Sequence, residues 1–503
     1  MDATRPEQFA VPEVETREIA ARPHFLGALR CKRQLARVRS YCAIRWASIR
    51  FRRLFLPLTA LGLIVRLVLA PLTGEPDLVN FSAIGLTMAY GGGPYTYPSI
   101  YPPLWVYLLN LNTRLAGVFY PLNLVLQTRP GLLIMNAQVG YIQSPYLAAP
   151  AFAVAEKLPL ILFDLLTAIL LYWIVEEFVG SKEAATRAFL LWWLNPLVII
   201  VSSVHGDYDV LPVFFVMASY FLLSHQRYPA AGAALAIGIF LKVFPVVLLP
   251  VFAVSLWYQS RRKLGNFVRD LLQFIMGSAL VTAIAVLPGN VIQSYFVQRL
   301  GGAYYAGGTA FGGFGVWGFL DLPQLSPIAN WFELNTSSVQ SFVTFLAVGI
   351  ALLLAWLYYR WKPESLLSWE GIWICTLCVS AVCIPLAFLQ PQYVLWLLPW
   401  IILLAVVYGQ GRIPLVVLTV TTVGAYLFGL GGPTFYFEPS ALFFGTPSLD
   451  WILTQLPYWY ARSALVLAVT AVPASLATYH LWGQGAIQLW RLRKWRRLET
   501  LAK

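Results

Sequence analysis

Charge is what this sequence has least of. Only 11% of its 503 residues are Asp, Glu, Lys or Arg, where a soluble domain carries roughly a quarter. That shortage excludes an ordinary water-soluble globule. Acids are the scarcer sign, 22 against 35 Lys and Arg. The cations sit at both ends and in short segments between apolar runs, which is the positive-inside pattern rather than a nucleic-acid surface. Cysteine is also sparse. Cys375, Cys378 and Cys383 share one apolar run, where a thiol behaves as a small hydrophobe. Cys375 and Cys378 are spaced like half a zinc site, but no second half exists. The first 50 residues contain no apolar core, so no cleaved signal peptide is expected. No polar linker of domain size divides the chain, so one membrane domain is expected.

What the chain does have is hydrophobic length. Apolar residues make up 59% of it, and runs of membrane length recur from residue 54 to residue 482. A span needs roughly 20 such residues. The fold class read from this is an all-α polytopic bundle of about 12 spans or half-spans. A basic cytoplasmic arm covers residues 1–53, the transmembrane domain 54–482, and a basic cytoplasmic tail 483–503. Lys and Arg placement puts both termini inside. It also puts two long loops outside, residues 73–157 and 289–340. By parity residues 101–155 cross zero or two times, and their proline spacing favours surface helices. The stretch 229–259 has basic residues at both ends yet is too short for two full spans, which predicts two short helices broken near Lys242 and Pro245.

The same parity places several polar groups on the outer face. Asp77 follows the first span, as a solvated turn residue or as a functional acid at the membrane mouth. His205-Gly206-Asp207-Tyr208-Asp209 lies between two spans. It reads as a helix-to-helix turn with Asp209 as N-cap, or as a substrate site using His205 and Asp207. Its Asp-x-Asp spacing also resembles the metal pair of nucleotide-sugar transferases, but nucleotide sugars are cytoplasmic and this loop is expected outside. Lys242 and Arg66 are ionisable groups in apolar surroundings, either snorkelling to an interface or aimed at an anion. Asp164 is positioned to neutralise one of them. Gln392 and Tyr393, after Pro391, cap a helix or hold a sugar ring. Tyr95, Tyr97, Tyr101 and Trp105 form an aromatic belt or a stacking surface.

In order, PDLVNFSAIGLTMAYGGGPYTYPSIYPPLWVYLL (76–109), LPLILFDLLTAILLYWIVEE (158–177), WWLNPLVIIVSSVHGDYDVLP (192–212), GIFLKVFPVVLLP (238–250) and QPQYVLWLLP (390–399) resemble the C-type (GT-C) glycosyltransferase superfamily. The resemblance is greatest to its polyprenyl-phosphate-mannose-dependent mannosyltransferases. It implies that Asp77 is the general base. It also implies that the HGDYD and QPQY segments line the sugar or acceptor pocket, and that Lys242 approaches the lipid phosphate. Some relatives carry a second acid where this chain has Val79, so a divalent cation is not favoured and no cofactor is expected.

The physical logic runs parallel. Outside the cell neither nucleotide sugar nor ATP is at hand, so a transferase there needs a lipid-borne donor. A polyprenyl-phosphate sugar requires an apolar groove, a cation for the leaving phosphate and a base for the acceptor hydroxyl. Lys242, with Arg66, His205 or Arg299, and Asp77 are the candidates. A single inverting displacement onto a lipid-linked or glycan acceptor is expected, at the plasma membrane if the source is prokaryotic. Two rivals stand beside it: a lipid transporter or flippase, and a non-catalytic subunit of a glycan pathway.

Overall fold

The computed structural model describes residues 49–74, 76–97, 101–124, 126–128, 146–260, 262–287, 291–292 and 391–428, with scattered positions between 327 and 487. The chain divides into two units, 1–57 and 58–503. Of the first, only the opening turns of helix α1 (Ile49–Leu72) are described. Arg299, the three clustered cysteines, the basic arm up to residue 48 and most of the loop 289–340 lie outside the described residues. So do nearly all of the expected spans 341–358, 371–389 and 463–482.

In the second unit α1 leads to α2 (Pro76–Ala89), α3 (Pro103–Gly117) and a two-stranded antiparallel ribbon, β1 (Leu126–Thr128) with β2 (Tyr146–Ala148). Then follow α4 (Pro150–Val179), α5 (Lys182–Trp193), α6 (Pro196–Ile199), α7 (Val210–Ser224), α8 (Tyr228–Leu241), α9 (Leu249–Gln259) and α10 (Leu264–Val286). After the gap come α11 (Leu398–Val407) and α12 (Arg412–Phe428). Local sequence sets the joints. Gly180 closes α4 in the left-handed region, and the next residue, Ser181, caps α5 by accepting from the Ala184 amide. Such a Gly–Ser pair stops one helix and starts another within two residues. Prolines occupy the first positions of α3, α4 and α6, where a missing N–H costs nothing.

Among the described residues three helical segments are long and apolar enough to cross a membrane: Phe55–Leu72, Pro150–Val179 and Leu264–Val286. A fourth arises if α5 and the segment Pro196–His205, bent by 44° at their junction, count as one span. The expected count of about 12 spans or half-spans is not confirmed among the described residues. Several further apolar runs fold as helices of 10–17 residues, shorter than a full crossing at 1.5 Å per residue. The fold is an all-α membrane protein with broken and partial spans. The stretch 229–259 is one of these: α8 ends at Leu241, Lys242 is extended, and a 3-10 turn Phe244–Leu248 leads into α9. Residues 101–155 fold as α3 and the ribbon where described, followed by the start of α4.

The outward faces of α1 and α10 are apolar and open, with Ile64, Val68, Leu272 and Leu280 exposed. Helix–helix contacts rely on small residues, as membrane bundles do. A Cβ added at Gly277 would lie 1.8 Å from the Pro229 carbonyl oxygen, and one at Gly232 would lie 2.0 Å from that of Phe274. The backbones of α8 and α10 therefore touch. Inside the bundle, Arg66 of α1 and Asp164 of α4 form a fully buried ion pair at 3.0 Å. The guanidinium also donates to the Gly62 and Trp193 carbonyls and lies 3.9 Å from the Trp193 ring centroid.

Candidate active site

The site is assembled at helix ends. The segment after α6, Ile200–His205, winds as a π-helical turn and stops at Gly206, whose φ of 85° is the left-handed geometry a side chain resists. The Gly206 and Asp207 amides both donate to the Val201 carbonyl. This tight exit turns His205, Asp207, Tyr208 and Asp209 into one cluster, and such π-turns recur at functional sites.

Asp77 stands in the first turn of α2, where a carboxylate suits the helix dipole. Its Oδ1 accepts from the Tyr101 hydroxyl at 3.0 Å, and its Oδ2 lies 3.6 Å from His205 Nε2. Burial would push this carboxyl up. The hydrogen bond and charge of a protonated His205, the Tyr101 hydroxyl and Lys242 outweigh it and hold Asp77 below the usual carboxylate range. With 34% of the side chain still open, the burial penalty is modest, which favours the same direction. Asp77 is thus an ionised acid that a ligand can reach.

Across the cluster, Lys242 Nζ lies 2.5 Å from Asp209 Oδ1 and 3.9 Å from Asp207 Oδ2. Three aromatic faces surround the ammonium, with ring centroids at 4.8 Å (Tyr208), 4.6 Å (Tyr393) and 5.6 Å (Trp396). These rings are themselves fixed. Tyr208 stacks on Trp105 at 4.3 Å, and Trp396 is stacked between Phe244 and Tyr393. One expectation needs correction. Asp209 holds the N-cap position of α7 but makes no capping bond. Its Oδ1 accepts from Lys242 and, at 2.9 Å, from Trp396 Nε1, because a buried carboxylate is stabilised more by a cation than by an amide. Lys242, read as a cation aimed at an anion, faces two carboxylates. Burial first, and then Asp207, push the Asp209 carboxyl up to about 7, against the pull of Lys242 and Trp396.

Asp77, Tyr101, His205, Asp207, Asp209, Lys242, Gln392 and Tyr393 are linked through these contacts, Gln392 by accepting from the Tyr426 hydroxyl, which lies 3.1 Å from His205 Nδ1. Arg66 is held instead by Asp164 and Trp193. Sequence reasoning missed three contributors. Tyr426 is one tyrosine in an apolar helix, and Trp396 is one tryptophan in an apolar run. Lys157, in α4, carried a readable signal: a buried lysine beside a buried Glu156 at the head of a span. Its Nζ donates to the Ala70, Thr73 and Val204 carbonyls at 3.2, 2.7 and 3.1 Å, and lies 3.1 Å from Thr73 Oγ1.

A family model described as GPI transamidase subunit PIG-U matches residues 97–305. That range contains Tyr101, the HGDYD turn and Lys242, and excludes Asp77, Gln392, Tyr393 and Tyr426. GPI mannosyltransferase 1 of Saccharomyces cerevisiae is 26% identical over 107 residues, 21% of this chain and 26% of the relative. The protein of the same name from Debaryomyces hansenii is 30% identical over 92 residues, 17% and 22% of the two chains. That from Kluyveromyces lactis is 25% identical over 151 residues, 30% and 34%. The chain spans about a third or less of the length of these curated relatives. Its similarity is to mannosyltransferase-type membrane glycosyltransferases of the C-type superfamily.

Proposed function

We propose that this protein is an integral membrane glycosyltransferase. It moves a hexose, mannose by similarity, from a polyprenyl-phosphate donor to a hydroxyl of a lipid-linked or glycan acceptor on the non-cytoplasmic face. The observation that carries the reading is the disposition of Asp77. It is an ionised, partly open carboxylate held by Tyr101 and His205, within electrostatic reach of a lysine at a helix break. The acceptor hydroxyl attacks the anomeric carbon and its proton passes to Asp77. The bond to phosphate breaks with inversion, and its electron pair leaves on the phosphate. Lys242 stabilises that charge, and Tyr393, Tyr101 and Gln392 offer ring faces and an amide to the sugar. The test is transfer in detergent or nanodiscs with a panel of polyprenyl-phosphate sugars and extracted lipids. Release of polyprenyl phosphate with formation of a new glycoside is expected; neither product from any pair would defeat the reading.

Charge balance adds a pH prediction. A donor phosphate would enter a cluster holding Asp77, Asp207 and Asp209 against Lys242. Asp209 relieves this by taking up a proton. Below its raised pKa it is neutral and leaves the ammonium to the phosphate; above, its carboxylate cancels that cation. Donor KM should therefore rise as pH climbs through about 7, by at most about tenfold per pH unit for one linked proton. Asp209→Asn should flatten the dependence. A wild-type donor KM that is level across neutral pH would contradict the linkage.

The family match favours a second reading, a non-catalytic subunit of a membrane assembly that processes glycolipid. A subunit of that kind would release no polyprenyl phosphate, and its assembly would survive loss of the Asp77 charge.

A further inference from the structure

Resting on the transferase reading, we propose that His205, oriented by Tyr426 and Gln392, is a second proton station that shares with Asp77 the proton released by the acceptor hydroxyl. Three segments distant in sequence converge to build it: the π-turn before Gly206, the 3-10 helix Pro391–Trp396 and α12. The Tyr426 hydroxyl donates to Gln392 Oε1 at 3.3 Å. An amide oxygen only accepts, so the single hydroxyl proton is directed there. The Tyr426 oxygen is then an acceptor for His205 Nδ1–H at 3.1 Å. This fixes the neutral imidazole as the Nδ1–H tautomer and leaves a lone pair on Nε2.

That lone pair faces Asp77 Oδ2 at 3.6 Å. Two lone pairs opposed at this distance repel, and one proton between them turns the repulsion into a charge-assisted bond. The pair is therefore built to hold one proton more than it has when Asp77 is ionised and His205 neutral. The reaction supplies it. As the acceptor oxygen bonds to the anomeric carbon and the phosphate departs with the electron pair of the broken bond, the hydroxyl proton passes to Asp77 and is shared with Nε2. His205 is buried and Asp77 partly open, so the acceptor meets the carboxylate first and the imidazole behind it. Tyr426 acts through the ring and is a positioning residue, oriented in turn by Gln392 Oε1. The charged groups around the pair are Lys157 behind the turn, on the Val204 carbonyl, and Lys242 with Asp207 and Asp209 beside it.

The test pairs a tautomer readout with kinetics on the full chain. The protein has four histidines, so 15N-histidine labelling gives a spectrum in which the His205 signals are assigned by their loss in His205→Gln. The neutral ring of the wild type should carry its proton on Nδ1, and Tyr426→Phe, which keeps the packing, should mix the tautomers. Tyr426→Phe should also lower kcat by about tenfold, and His205→Gln by about 100-fold, with donor KM unchanged and the acid limb of the kcat profile displaced. An Nε2–H tautomer in the wild type, or an unaltered pH profile in Tyr426→Phe, overturns the relay while the transferase stands. Wild-type protein that transfers nothing to any acceptor removes the transferase reading and the relay together.

Discussion

Asp77→Asn is expected to reduce sugar transfer by about 10²–10⁴-fold, the range over which positioned general bases contribute, while the protein still folds and inserts. The structure says why the fold should survive. The asparagine Oδ1 can still accept from the Tyr101 hydroxyl, and its amide can donate toward His205 Nε2, so neither neighbour loses its contact. What is lost is the charge and the ability to take a proton. Measured turnover with expression and thermal stability in parallel separates the two effects. Near-normal transfer in Asp77→Asn would remove Asp77 from the base role.

The second large effect is on stability. Arg66→Met should destabilise the folded protein by about 3–5 kcal/mol, because it strands Asp164 without a cation in an apolar interior. Both partners are buried, and the guanidinium also satisfies the Gly62 and Trp193 carbonyls. Arg66→Met combined with Asp164→Leu should recover most of the loss, since the burden is an uncompensated charge and not an absent contact. Denaturant titrations of the two variants in detergent decide it. A double variant as unstable as the single one would mean that the carbonyl contacts dominate.

Sequence alone shows much of the fold class because lipid imposes a simple rule: scarce charge and repeated apolar runs leave few alternatives to a helical bundle. The break at Lys242 is legible for the same reason. A run bounded by cations at both ends had to turn, and Pro245 with Lys242 marks where. The HGDYD segment is legible as a turn through Gly206. What stays hidden is partnership across long separations. The cation at Lys242 is legible, but its partner Asp209, in a turn 33 positions earlier, is not. Asp209 itself reads as a helix cap, because capping is local and its actual bond to Trp396 is not. Tyr426 carries no signal at all within its apolar helix. Hydropathy also does not separate spans from half-spans, since it records composition and not whether 15 residues reach both surfaces.

Lys157 gives the site a mechanical character. Its ammonium fastens carbonyls at the end of α1, four residues before Asp77, to the carbonyl of Val204, next to His205. The carboxylate and the imidazole are thus mounted on a common bracket, and rotation of one carries the other with it. Lys242, Tyr393 and Trp396 are mounted separately, on the α8 break and the 3-10 turn before α11. The two sets are joined through the turn itself, because Asp209 accepts from both Lys242 and Trp396. One buried lysine thereby sets the spacing of carboxylate and imidazole, and a second lysine holds the far side of the same turn.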